Sequence, residues 1–142
     1  MLAWKRLAAL AAVAIAALAP LAAQAQQKEQ YKVVLQVSDA DPAKWNLALN
    51  NANNIQHDLG KGNVAIEIVA YGPGLAMLKG DSKVSARLAQ ALDNSIGLMA
   101  CENTMRNTKV TKDQMYSGIS YVDAGVVHIM KRQREGWAYI RP

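Results

Sequence analysis

Cys101 is the one cysteine in a chain of 142 residues, and a thiol reacts or lies idle according to what surrounds it. The apolar run from Ser95 to Ala100 leads into it, and the polar run Glu102-Asn103-Thr104-Met105-Arg106 leads away. That change of pattern predicts a sulfur at the end of a strand and the start of a helix. Free backbone donors and the helix dipole there favour the thiolate, lower its pKa and make it a better nucleophile near neutral pH. With no second cysteine it has no internal disulfide partner. In an oxidising compartment it is therefore buried, paired with another molecule, or held free for reaction. A free cysteine packed as a small hydrophobe is the competing reading, and spacing leaves the two open.

The elements that would position this thiol can be read along the chain. Tyr31 to Val37 is a β-branched run and predicts a strand. Asp41-Pro42 predicts a helix start, because Asp accepts backbone hydrogen bonds at an N-cap and Pro at the first helical position needs no donor. Trp45, Ala48, Ala52, Ile55 and Leu59 then recur at helical spacing, Asn50, Asn51, Asn53 and Asn54 fall mainly on other faces, and Gly60 stops the helix. Asn63 to Ala70 predicts a second strand, with Glu67 its polar exception. Asp81 or Ser82 is expected to cap a second helix with the stripe Val84, Leu88, Ala91 and Leu92, and Ile96 to Ala100 a third strand. A short helix through Met105 follows. Thr111-Lys112-Asp113-Gln114 has the form of a capping box opening another helix, and Ile119 to Val122 reads as a fourth strand. Asp123 is expected to cap a helix carrying Val126, Val127, Ile129, Met130 and Gln133, preferred over a strand because the pattern runs on to Gly136. Trp137 to Arg141 is the last strand. Alternating strands and helices predict an α/β fold with a parallel sheet covered on both faces.

In such sheets ligands bind beyond the carboxyl ends of the strands. Three loops should meet there: Ser38-Asp39-Ala40-Asp41, Tyr71-Gly72-Pro73-Gly74 and Cys101-Glu102-Asn103-Thr104. Gly72-Pro73-Gly74 has neither the Lys-Ser/Thr of a P-loop nor a dinucleotide fingerprint, and reads as a tight turn. His57 and His128 have no His or Cys at ligand spacing and are expected to be solvated or structural, so no metal or cofactor is expected. Lys131, Arg132 and Arg134 are expected on the wet face of a helix. No Ser-His-Asp arrangement stands out.

Residues 1–25 have the form of a signal peptide: Lys5 and Arg6, an apolar run from Leu7 to Ala19, Pro20, and the small-residue pattern Ala23-Gln24-Ala25. The run falls short of the roughly 20 residues that span a bilayer. Cleavage before Gln26 would leave one domain, 26–142, in the periplasm, with no membrane association. Losing Lys5 and Arg6 takes the net charge from +5 to +3, too mild to argue for nucleic acid. Phe is absent, which leaves the core to Leu, Ile, Val, Met and three Trp.

The strand Tyr31 to Val37, the stretch Val69-Ala70-Tyr71-Gly72-Pro73-Gly74-Leu75-Ala76-Met77-Leu78, the segment Ala100-Cys101-Glu102-Asn103-Thr104-Met105 and the ending Gly136-Trp137-Ala138-Tyr139-Ile140-Arg141-Pro142 together resemble the exported branch of the DsrE/DsrF-like family. The resemblance implies a three-layer α/β/α sandwich with a mainly parallel five-stranded sheet, assembled as a homotrimer or homohexamer. It also implies a role for Cys101, which falls on the family's cysteine position, as a persulfide carrier in a sulfur relay. Asn103 and Thr104, with Gly72 and Gly74 on the facing loop, are the expected substrate-holding residues; Lys109 is a candidate cation, with an ordinary surface lysine the preferred reading. A relay with one cysteine needs a separate sulfur donor and acceptor. The neighbourhood Cys-Glu-Asn-Thr-Met departs from that of the well-studied sulfurtransferases, and export would separate this chain from their cytoplasmic partners. The alternative is a non-catalytic oligomeric module that binds a small ligand or serves a periplasmic redox system.

Overall fold

The computed structural model describes residues 30–142; the expected signal peptide lies outside them. Five strands, β1 (Tyr31–Val37), β2 (Val64–Ala70), β3 (Gly97–Cys101), β4 (Ser120–Val122) and β5 (Ala138–Ile140), form one sheet in the order β4-β3-β2-β1-β5. All four pairings are parallel, so every strand directs its carboxyl end to the same edge. The α-helices are α1 (Pro42–Leu59), α2 (Ser85–Asp93), α3 (Glu102–Thr108) and α4 (Gly125–Arg134).

Local chemistry sets the clearest boundaries. Asp41 caps α1 by accepting from the Ala43 N–H at 2.8 Å, and Gly60 ends it with φ at +87°, where a side chain would be strained. Trp45, Ala48, Leu49 and Ala52 are the buried residues of α1. With Leu88 and Ala91 of α2 and with Leu75, Met77 and Leu78, they cover the sheet face built by Val33, Leu35, Val37, Ile66, Ile68, Ala70, Leu98 and Ala100.

The other face is more thinly covered. Among the described residues α4 is the helix on it, where Ile129 packs with Val34 and Val69 beside Tyr71, Met99 and Trp137. The three layers are therefore unequal. Val126 and Met130, two of the apolar residues of the expected helix, are 53% and 59% exposed, because the side of α4 against the sheet is the one carrying Gly125, His128, Ile129 and Arg132. Periodicity places Val126 and Met130 together but does not say whether the sheet or solvent lies opposite them.

Other expectations also shift. The helix expected from Asp81 or Ser82 starts at Ser85, with Val84 at the cap position; Ser82 Oγ instead accepts from the Val84 N–H at 3.4 Å. Residues Gly72–Leu78 form a 3₁₀ segment rather than a simple turn. Gln114 Oε1 does accept from the Thr111 N–H at 2.9 Å, yet the helix it was expected to open is a 3₁₀ turn of three residues. Ala124, not Asp123, occupies the cap position of α4.

Candidate functional site

Cys101 ends β3 and caps α3, so the strand fixes its backbone and the helix presents its first free amides to the sulfur. Sγ accepts from the Thr104 N–H at 3.4 Å and from the Gly125 N–H, the first residue of α4, at 3.2 Å. Ala124 at the cap position of α4 has no side chain that could cap it, so one sulfur serves the starts of two helices. Burial pushes the Cys101 thiol up, but the Thr104 side chain and the backbone amides of Gly125, Thr104 and Asn103 around the sulfur outweigh it and hold the thiol below its ordinary value. The Thr104 hydroxyl is itself held in place, since its oxygen accepts from the Gly72 N–H at 2.9 Å. Cys101 is 4% exposed.

The expected residues divide. Thr104 stands at the sulfur, and Gly72 stands behind Thr104 through its amide. The Asn103 side chain is exposed, and its N–H donates to the Asp123 carbonyl at 2.9 Å, which ties α3 to the loop before α4. Gly74 is buried, and a Cβ there would lie 2.2 Å from the Val37 carbonyl oxygen. Packing against backbone, rather than contact with a substrate, explains its lack of a side chain. Lys109 is exposed in the left-handed region that ends α3. Among the described residues no group of three His, Cys, Asp or Glu converges to hold a metal ion.

The sequence carries no sign of Gly125 at the sulfur, and it puts Tyr71 at this edge only as part of a loop. The Tyr71 ring lies against Gly125, where a Cβ would meet its Cβ at 3.0 Å and Cδ1 at 3.1 Å, so the ring packs on the start of α4. Burial and the nearby Tyr139 raise the Tyr71 hydroxyl, Arg141 pulls it down, and Cys101 raises it again. Tyr71 stays a proton donor at neutral pH.

Beneath α4 lies a cluster that the sequence concealed. Glu67, the polar residue of β2, has a side chain 9% exposed. His128 Nε2 bonds its Oε2 at 2.7 Å; Arg132 donates to the same oxygen at 2.9 Å and to Oε1 at 2.6 Å. Arg132 also lies 4.6 Å from the Trp137 ring centre, so it is not on the wet face where it was expected. Burial would raise Glu67, but the hydrogen bonds from Arg132 and His128 prevail and hold its carboxyl below the usual 4.5. The carboxyl group is therefore ionised, and His128 is the donor. A carboxyl depressed on folding contributes stability that is present above its unfolded pKa and lost as pH falls through the folded value. Glu67→Gln should cost about 2 kcal/mol near neutral pH, less than a fully buried pair because Arg132 retains some solvent. The gap from wild type should close in acid below the unfolded value. Denaturant melts from pH 7 to pH 3 test this; a gap constant with pH refutes the carboxylate's role.

No family model matches the chain and no curated protein does. Solved structures do match. MTH1491 from Methanobacterium thermoautotrophicum, a protein of unknown function, is 37% identical, with 80% of this chain and 100% of that one covered and a TM-score of 0.76. BT1422 from Bacteroides thetaiotaomicron, a conserved protein of unknown function, is 17% identical over 78% of this chain and 94% of that one, with a TM-score of 0.57. The YchN protein from E. coli is 9% identical over 80% of this chain and 99% of that one, with a TM-score of 0.61. These two share the fold. With its five parallel strands and its 37% identity to MTH1491 along that protein's whole length, the chain belongs to the family of MTH1491, within the DsrE-like fold.

Proposed function

We propose that this is a periplasmic sulfur-handling protein in which Cys101 takes up a sulfane sulfur and passes it to another thiol. The observation that supports the reading is the convergence of two backbone amides, those of Thr104 and Gly125 at the starts of two helices, on one sulfur. A neutral thiol is a weak acceptor and a thiolate a strong one, so this environment rewards ionisation. The thiolate attacks the outer sulfur of a donor persulfide. A Cys101 Sγ–S bond forms, the donor's S–S bond breaks, and the donor thiolate leaves with the electron pair. An acceptor thiolate then attacks the same outer sulfur and Cys101 leaves as thiolate, so no net oxidant is needed. Incubating wild-type protein with polysulfide should add one sulfur, about 32 Da, to the intact mass, reversibly by reductant. The same spectrum of exported protein should begin at Gln26. A wild type with no reducible adduct ends the relay reading.

The second reading, a binding or accessory module, draws on the 4% exposure of Cys101: the sulfur would be a structural cap for α3 and α4. Rapid alkylation of the folded protein near neutral pH favours the relay, and alkylation that waits for denaturation favours the cap.

The same proposal includes assembly as a homotrimer or homohexamer, with a donor and an acceptor of sulfur as further partners. Val126, Val127 and Met130 form an apolar surface on α4, with 53%, 44% and 59% of their area exposed, next to the helix start that touches Cys101. A second copy would cover it. Val126→Lys with Met130→Lys should yield a folded monomer in sedimentation runs where the wild type sediments as an oligomer. A wild type that is monomeric at micromolar concentration refutes the assembly.

A further inference from the structure

We infer that Glu67, gripped by His128 and Arg132, is a positioning residue that holds α4 at the height where the Gly125 amide reaches the Cys101 sulfur. This rests on reading Cys101 as a thiolate nucleophile and is independent of whether sulfur is the cargo.

The apolar grip of α4 on the sheet is small: Gly125 and Ile129 are its buried residues, and Val126, Val127 and Met130 face out. So little apolar contact resists sliding of a helix weakly. Glu67 supplies the missing fixation. It stands midway along β2, in register with Val34 and Gly97, and both its oxygens are bound from α4, at 2.7 Å by His128 and at 2.6 and 2.9 Å by Arg132. His128 and Arg132 lie four residues apart, so they face the same way on the helix. His128 is three residues beyond Gly125, about one turn, so a grip on the imidazole sets the position of the helix's first amide. At the other end, Tyr71 against Gly125 limits how far the helix start can approach the sheet. The Gly125–Sγ bond, at 3.2 Å, is set by these two contacts.

The groups that face Glu67 are His128 and Arg132 from α4, and Arg132 is further held by Glu135 at 2.8 Å. The titratable group beside Cys101 is Tyr71, directly after β2, with Tyr139 and Arg141 around it. Glu102, next in the chain, is occupied by Lys112 at 2.9 Å.

The test is the pH midpoint of Cys101 alkylation by iodoacetamide in the mature protein, which reads the thiolate fraction separately from stability. Glu67→Gln keeps size and loses the charge. Its midpoint should rise by roughly one pH unit, with alkylation below the midpoint slowed about tenfold. Leu49→Ala, which opens the core on the opposite face, should lower stability and leave the midpoint in place. If Glu67→Gln does not fold, His128→Gln, which leaves the Glu67–Arg132 pair, should raise the midpoint in the same direction. A folded Glu67→Gln or His128→Gln with the wild-type midpoint overturns the inference, as does Leu49→Ala shifting the midpoint equally. Sulfur is not used in this measurement, so a wild type that alkylates as expected but takes up no sulfur sinks the relay and leaves the positioning role intact.

Discussion

Cys101→Ser should fold and assemble as the wild type does while its sulfur uptake from polysulfide falls to background. Serine is a good N-cap, and its oxygen can accept from the Thr104 and Gly125 amides as Sγ does, so the change in stability should stay within about 1 kcal/mol. The nucleophile is lost, because a serine hydroxyl in the same pocket is not ionised near neutral pH and no histidine is bonded to it as a base. Cys101→Ala removes both and should cost a further 1–2 kcal/mol or so, since two helix starts lose an acceptor together. Intact mass after polysulfide treatment and denaturant melts of all three proteins read the two effects separately. A serine variant that still gains a reducible sulfur refutes Cys101 as the carrier. One that unfolds shows that the sulfur's contribution is packing.

Gly74→Ala should be among the most damaging single changes of a small residue. Its Cβ would stand 2.2 Å from the Val37 carbonyl oxygen, 2.6 Å from the Val37 carbonyl carbon and 2.9 Å from the Ser38 nitrogen. All three are backbone atoms where β1 ends, so no rotamer relieves the contact. The 3₁₀ segment must back away from the strand, and Leu75, Met77 and Leu78, all buried, must move with it. Overpacking of this kind costs about 3 kcal/mol or more, a large part of the 5–15 kcal/mol that hold a domain together, and should lower Tm by about 10 °C. Gly62→Ala is the control, since nothing lies within 4 Å of its added Cβ. A thermal melt in which Gly74→Ala and Gly62→Ala coincide would show that the segment yields freely, and the shape of the carboxyl edge near Thr104 and Gly72 would then not depend on this contact.

By itself the sequence determined the elements whose signals are local. Asp41, Pro42 and Gly60 bound α1 because a cap, a ring and a positive φ act within a few residues. Tyr31 to Val37 and Val64 to Ala70 are strands because β-branched side chains suit a pleated surface whichever neighbour they meet. The alternation of such strands with helices was enough for a parallel α/β sheet, and the change of pattern at Cys101 was enough to place the thiol at its carboxyl edge. The tertiary structure decided what the thiol meets. Gly125 lies 24 residues from Cys101 in the chain, and His128 lies 61 residues from Glu67. Nothing in the spacing around either member announces the other. It also decided which side of α4 is inside: Val126 and Met130 carry the helical pattern of a core, yet the sheet opposite α4 presents Glu67, and an ionised carboxylate under a helix must be met by donors. A carboxylate left without them would cost more than burying two apolar side chains returns, so His128 and Arg132 turn inward and the apolar pair turns out.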